Sequence, residues 1–275
     1  MTASKRLIVT ADDVGLHRGM TDGALHAHDS GIVTACSVVA NGTAFHHAVE
    51  RLRDYPKLSV GIHLALVEER PLAADVDSLI GASGIFHGSY YEFIPRYFAR
   101  RIRIDEVERE FRAQIESVLA AGITLQHVNG HQHLHLLPRI FTLVQRLAEE
   151  YRIPYVRIVD ERKRGHGLRE TSVAVLSRLG RAARARSRIG TNDRTIGVTN
   201  AGRVATSADL IALLDDVDGL TELVVHPGLG DPELRDAYDW GYAWEAETTA
   251  LCDPALREAI AARGIELATP PLPRG

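Results

Sequence analysis

Short runs of β-branched and aliphatic residues alternate along the chain with longer stretches whose apolar positions recur at helical spacing. This pattern builds parallel sheets through βα units. The strand candidates are residues 6–10, 34–39, 58–64, 125–129, 155–159, 195–198, 222–225 and 265–268. Between them, Asp105 can cap a helix over 106–121 with Gly122 just beyond its end, and Pro138 can open another over 139–150. Repeats of this number in one unbroken chain predict an α/β fold, a distorted (β/α) barrel of about seven or eight parallel strands with its active site at their C-terminal ends. No glycine fingerprint follows the first strand. Thr10-Ala11-Asp12-Asp13 stands where a phosphate loop would have to be, which argues against an open nucleotide-binding sheet. The expected organisation is a single barrel domain over 1–275, with a basic insertion around 161–194 whose irregular part, 165–190, reads as an insertion or lid.

Composition narrows the function classes. With 275 residues, 45% of them hydrophobic and 25% charged, the chain can bury a full core. A net charge of −4 gives no reason to expect nucleic acid as a partner. Cys36 and Cys252 lie far apart without a CxxC spacing, which argues against a disulfide framework or a thiolate zinc site and fits a reducing cytoplasm. The N-terminus runs straight into a strand and an acidic pair, so neither a signal peptide nor a membrane anchor is expected there.

What the strands end with carries the chemistry. The first ends in Asp12-Asp13, the third in His63, the fourth in His131, the fifth carries Arg157, and the seventh ends in His226. Each has a bland reading. An Asp pair after a strand is often a turn or helix cap, His63 within VGIHLAL could be a satisfied core histidine, Arg157 a surface ion-pair partner, and His226 before Pro227-Gly228 a loop cap. Their convergence on one rim is harder to dismiss, because random scatter would spread such groups over both barrel ends and the helices. In His127-Val-Asn-Gly-His-Gln-His-Leu-His135, period two on an extended chain would turn His127, Asn129, His131, His133 and His135 to one side. Two histidines and a carboxylate suit a catalytic divalent ion and leave positions open for water and substrate. Such mixed donors admit zinc, manganese or cobalt, or a hydrated magnesium.

Taken in order, TADDVG, VGIHLAL with His63, HVNGHQHLH with His131, TNDRTIG and VVHPG with His226 resemble the YdjC/ChbG/HpnK family of carbohydrate deacetylases. The resemblance spans most of the chain. It implies a distorted barrel, one divalent metal ion often assigned as magnesium, and removal of acetyl groups from N-acetylglucosamine-containing substrates, either chitooligosaccharides or a glycosylated hopanoid lipid. Carried over residue by residue, it makes Asp13, His63 and His131 the metal ligands, Asp12 the general base and His226 the general acid. An amide leaves badly without a proton on its nitrogen, so an acid is chemically required. Arg157 is expected to hold Asp12 ionised, from its charge and strand position. Two departures stand out: Val14 where an aromatic is common, and Asn129 where related sequences often carry Asp.

Two further stretches bear on the substrate. Tyr238-Asp-Trp-Gly-Tyr-Ala-Trp244 supplies aromatic faces for a sugar ring, although such clusters are as often ordinary packing. Ten Lys/Arg between Arg162 and Arg194 usually mean a solvated helix face; the functional reading is peripheral contact with an anionic membrane at its inner face, favouring a lipid-linked sugar. A homodimer is also left open. Two other classes compete: a metal-dependent phosphoesterase or amidohydrolase, with His133 and His135 as spare ligands for a second metal, and a silent sugar-binding protein. The presence of both Asp12 and His226 argues against silence, because binding alone needs neither base nor acid.

Overall fold

The computed structural model describes residues 4–162 and 167–270. In chain order it contains β1 (Arg6–Val14), α1 (Arg18–Asp29), β2 (Ala35–Val38), α2 (Phe45–Leu52), β3 (Ser59–Leu64), α3 (Tyr90–Phe98), α4 (Ile104–Ala120) and β4 (His127–Gly130). There follow α5 (Pro138–Glu150), α6 (Leu168–Arg184), β5 (Arg194–Ile196), α7 (Ser207–Leu213), β6 (Leu220–Val225), α8 (Asp231–Ala237), α9 (Trp244–Cys252), α10 (Pro254–Ala262) and β7 (Glu266–Ala268). The strands run in the order β4-β3-β2-β1-β6-β5, with β7 paired to β1, and every pairing is parallel. This is the expected distorted barrel, with seven strands among the described residues.

Alternation along β1 separates two environments. Leu7, Val9 and Ala11 join the large core shared with the helices, whereas Ile8 joins Ala35, Tyr155 and Leu220 in a small inner apolar cluster. Two residues further along these same segments, the buried positions become polar: Thr10, Ser37, Arg157 and Glu222. The interior is therefore apolar at its base and charged near the strand ends, where the chemistry was expected.

Three expectations are corrected. Segment 155–159 forms isolated bridges rather than a strand: Val156 bridges Val128, Tyr155 bridges Gly190, and the Asn192 side chain takes both backbone groups of Ile158, at 2.8 and 2.7 Å. Backbone pairing with β4 therefore reaches only to Arg157, and at Ile158 a side chain takes its place. Asp105 is not the cap of its helix. Arg103 occupies that position, and Asp105, the second residue of the helix, pairs with Arg103 and Arg109. Within 165–190, residues 165 and 166 lie outside the described residues, but most of the remainder is α6 rather than an irregular insertion. Val173, Ser177, Gly180 and Ala183 form its buried face, a helical repeat hidden in the sequence because most of these residues are small or polar. Gly180 is required there, since a Cβ would lie 2.0 Å from the Val159 carbonyl oxygen. Arg181 and Arg184 each reach Asp160 at 2.9 Å, tying the helix to the bridging segment.

The loop between β3 and α3 is fastened to one face of α4. Gln114 exchanges hydrogen bonds with both backbone groups of Ala65, Glu110 accepts from the Leu72 and Ala73 amides, and Glu106 accepts from Ser78 N at 2.7 Å. These polar contacts fix a long loop that has little sheet of its own.

At Gly61 of β3 a Cβ would fall 2.2 Å from the buried His127 ring. Gly61→Ala must therefore displace the buried ring or the strand that carries it, and should lower stability by about 1–3 kcal/mol. A urea midpoint equal to that of the parent protein would show that the ring has room to move.

Candidate active site

Neighbours on a regular strand face opposite ways, yet Asp12 and Asp13 both line one cleft. The cause is a break in β1. Its register with β2 shifts between Ala11 and Val14, and Asp13 takes a left-handed φ of +64°, which Asp tolerates better than most residues. Both carboxylates are buried.

Two imidazoles meet the second carboxylate. His63, on β3, places Nε2 3.2 Å from Asp13 Oδ1, and His131, just after β4, places Nδ1 3.0 Å from the same oxygen. One donor atom from each of Asp13, His63 and His131 lies within 4.8 Å of the others, and this is the only such cluster of His, Cys, Asp or Glu among the described residues. Burial opposes a charge on His131, but Asp13 and Glu68 outweigh it and raise its pKa to about 10. The pocket is thus built to hold positive charge. A nitrogen-and-oxygen donor set of this kind fits a divalent ion.

Period two does not continue through the histidine run. After Gly130 the chain leaves the extended conformation, with Gln132 and His133 at φ of 50° and 57°. His133 lines the cleft, whereas His135 turns back so that Nε2 lies 3.0 Å from the Arg157 carbonyl oxygen. Burial keeps these rings neutral, lowering His127 and His135 to about 3 and His133 well below its ordinary value. They do not form a second metal cluster.

Arg157 is fully buried and reads as an internal ion pair rather than a surface one. Its Nη1 and Nη2 donate to the two oxygens of Asp12 at 2.5 and 2.8 Å, and Nε donates to Glu222 at 2.8 Å. Glu222 also accepts from Thr10 at 2.8 Å and from the Tyr155 hydroxyl at 2.9 Å. Burial would raise the Asp12 pKa, but Arg157, helped by His63, holds it well below the usual carboxylate range. Ser37 donates to Asp12 at 2.8 Å. The Asn129 amide joins the two carboxylate environments: its Nδ2 donates to Asp12 Oδ1 at 3.3 Å, and its Oδ1 lies 2.7 Å from His63 Nδ1, where it can accept that ring's N–H and leave the Nε2 lone pair directed at Asp13.

His226 stands at the far end of β6, its Nε2 3.9 Å from Asp13 Oδ2. Its Nδ1 has no partner among the described residues, and burial lowers its pKa. Asp12, Asp13, His63, His131 and His226 thus share one cleft floor, while Arg157 lies beneath it.

The model of the family described as YdjC-like protein matches residues 6–262. The chain belongs to this family. A carbohydrate deacetylase of Geobacillus stearothermophilus is 34% identical over 264 residues, covering 95% of each chain. A chitooligosaccharide deacetylase of Yersinia pestis is 30% identical over 273 residues, covering 96% of this chain and 97% of its own. Among solved structures, a putative cellobiose-phosphate cleavage protein of Enterococcus faecalis superposes with a TM-score of 0.76 at 24% identity, over 97% of this chain and 98% of its own. That last likeness concerns the fold.

In this YdjC-like chain the cleft has a volume of about 720 Å³ and extends well beyond the five polar residues. Tyr91, Ile94 and Phe98 of α3 line one part, Val175, Leu176 and Leu179 of α6 another. Trp240 lies over His131 with ring centroids 5.5 Å apart, and Tyr242 meets His226 edge-on at 5.2 Å. Four polar residues around the site were not singled out from the sequence: Ser37, Glu68, Glu222 and Glu247. Glu222 carries the same signal as His63, a charged group inside an apolar strand; Glu68 sits in a loop whose course no local pattern announces.

Glu247 accepts from the His226 backbone amide at 2.9 Å, and burial raises its pKa to about 7. A carboxyl whose folded pKa lies above its unfolded value binds the extra proton in the folded state. Its contribution is therefore lost as pH rises from the unfolded value of about 4.3 through 7. Glu247→Gln keeps an acceptor and removes the titration, so its unfolding free energy should fall less across that window than the parent's. Parallel curves in urea denaturation at pH 5, 6, 7 and 8 would contradict this.

Proposed function

We propose that this protein is a metal-dependent carbohydrate N-deacetylase acting on an N-acetylglucosamine-containing saccharide or glycolipid. Joint placement of Asp13, His63 and His131 beside Asp12 and His226 carries the reading. Names of the full-length relatives point the same way. Asp13, His63 and His131 would hold one divalent ion, magnesium by family resemblance, with zinc, manganese and cobalt compatible with the donors. When bound, such an ion lowers the pKa of water and polarises a carbonyl.

Asp12 is the base in this scheme. A carboxylate kept ionised by Arg157 is a weak proton acceptor, so it serves only where the attacking water is already acidic. Arg157 positions Asp12 and does not face the substrate. His226 lines the cleft with Nε2 3.9 Å from Asp13 Oδ2 and, in its protonated form, would give a proton to the departing amine and return to the neutral imidazole that burial favours. Trp240 and Tyr242 offer faces against which a sugar ring can pack. A two-metal phosphoesterase is disfavoured, since His133 and His135 supply no second cluster.

The apolar walls bear on substrate class. A bare oligosaccharide has little use for Ile94, Phe98, Val175 and Leu179, whereas an amino sugar joined to an apolar group would bury them. This favours the glycolipid alternative. Tyr91 and Phe98 are 68% and 66% exposed at the edge of the same cleft, and Arg96, Arg100 and Arg101 accompany them, a composition suited to contact with an anionic membrane. No helix among the described residues is long and apolar enough to cross one.

Acetate release from soluble N-acetylglucosamine oligomers and from an N-acetylglucosaminyl lipid, with metal restored after chelation, tests the activity. Asp12→Asn and His226→Gln should each slow it by roughly 10²–10⁴-fold while metal content stays near that of the parent. His63→Ala and His131→Ala should lose the metal. Full activity in either proton-transfer variant removes that assignment, and a parent protein releasing no acetate from any of these substrates removes the deacetylase reading.

A further inference from the structure

We infer that Glu68 is a positioning residue that presents His131 to the metal through Nδ1. The inference rests on the proposed Asp13, His63 and His131 site. His131 has two ring nitrogens and two carboxylate neighbours: Nδ1 lies 3.0 Å from Asp13 Oδ1, and Nε2 lies 2.9 Å from Glu68 Oε2. His63 Nε2 approaches the same Asp13 oxygen at 3.2 Å. The three donors that converge are therefore Asp13 Oδ1, His63 Nε2 and His131 Nδ1.

A neutral imidazole has one lone pair and one N–H, and only the lone pair can bind a metal. A carboxylate on Nε2 settles which nitrogen keeps the proton. It accepts the Nε2–H, leaves Nδ1 as the electron-pair donor and fixes the ring plane, an arrangement in which outer carboxylates commonly support metal-bound histidines. Without Glu68 the ring could rotate or exchange tautomers, and either change aims a proton at the ion.

Independent features of the loop support a built arrangement. Glu68 adopts a left-handed φ of 69°, uncommon for a residue with a side chain and retained only where surrounding contacts enforce it. Its amide donates to the His87 carbonyl at 3.1 Å. Its second oxygen accepts from Gln132 Nε2 at 3.0 Å, and the Gln132 oxygen accepts from Tyr90 N at 2.7 Å. Gln132 is itself left-handed at φ 50°. Two strained residues thus meet across His131, and the second links the carboxylate to the first turn of α3, which forms part of the cleft wall. Gln114, Glu110 and Glu106 anchor the loop from behind.

The test is the affinity of the chelator-stripped protein for Mn2+ and Zn2+, measured by isothermal titration calorimetry, with the protonated nitrogen of His131 read by 15N NMR in the Zn2+ form. The parent should show His131 protonated at Nε2. Glu68→Ala should weaken metal binding by roughly 10–100-fold, and Glu68→Gln, which retains an acceptor oxygen, by less. Thermal unfolding of the stripped variants separates this role from loop packing, because a merely structural residue would lower the melting temperature and leave the affinity of the folded protein unchanged. Parent-like affinity in Glu68→Ala, or His131 protonated at Nδ1 in the Zn2+ form of the parent, overturns the inference. His63→Ala and His131→Ala serve as controls: if both bind metal as the parent does, the metal site itself is wrong and Glu68 is not the cause.

Discussion

The charge cluster inside the barrel constrains everything around it. One guanidinium, with no solvent contact, lies between the carboxylates of Asp12 on β1 and Glu222 on β6, and a third side of the arrangement is closed by Thr10, Tyr155 and Asn129. Removing any one charge would leave its partner buried and uncompensated, typically a loss of about 3–5 kcal/mol. A hydrophobic replacement of the whole group could be as stable or more so. Stability alone therefore does not explain why the interior is charged. What the cluster supplies is position: it connects neighbouring strands to the bridging segment and holds Asp12 ionised at the cleft floor, beside Asp13.

The same economy of position recurs one layer higher. Asp13 reaches the cleft because β1 breaks its alternation, and His131 reaches it because β4 ends at Gly130. Neither location follows from an ideal strand. Left-handed φ values at Asp13, Glu68, Gln132 and His133 all fall on residues in or beside the proposed metal site. Strain of this kind persists only where packing and hydrogen bonds over-determine the chain. Here those supports are the α4 side chains behind the Glu68 loop and the ring contacts of Trp240 on His131.

How far the sequence could be read follows from these local rules. His63 and His226 were legible because they sit at the ends of well-patterned strands, where burial of an imidazole needs a reason. Asp12 and Asp13 were legible as a pair, but the bulge that turns both the same way leaves no trace in residue pattern. The common face expected for His127, His131, His133 and His135 failed because extension stops after four residues of β4. Helix α6 was missed for the opposite reason: beyond Val173 its packing face uses Ser177, Gly180 and Ala183, small residues that give little hydrophobic signal, while its arginines dominate the composition. Two of those arginines bind Asp160, so charge density in the sequence overstated how much of it is free for a membrane.

Helix α6 also bears on selectivity. It is held from below by Asp160 and by the close approach that Gly180 permits, and its other side turns Val175, Leu176 and Leu179 toward the cleft. A wall attached in this way is part of the barrel rather than a loose cover. The apolar path between α3 and α6 is therefore largely formed before a substrate arrives, and an apolar substituent entering it need not order the helix. The other half of the cleft, by contrast, is lined by Trp240 and Tyr242 above a charged floor. The two halves of the cleft thus present different chemistry, one apolar and the other aromatic and charged.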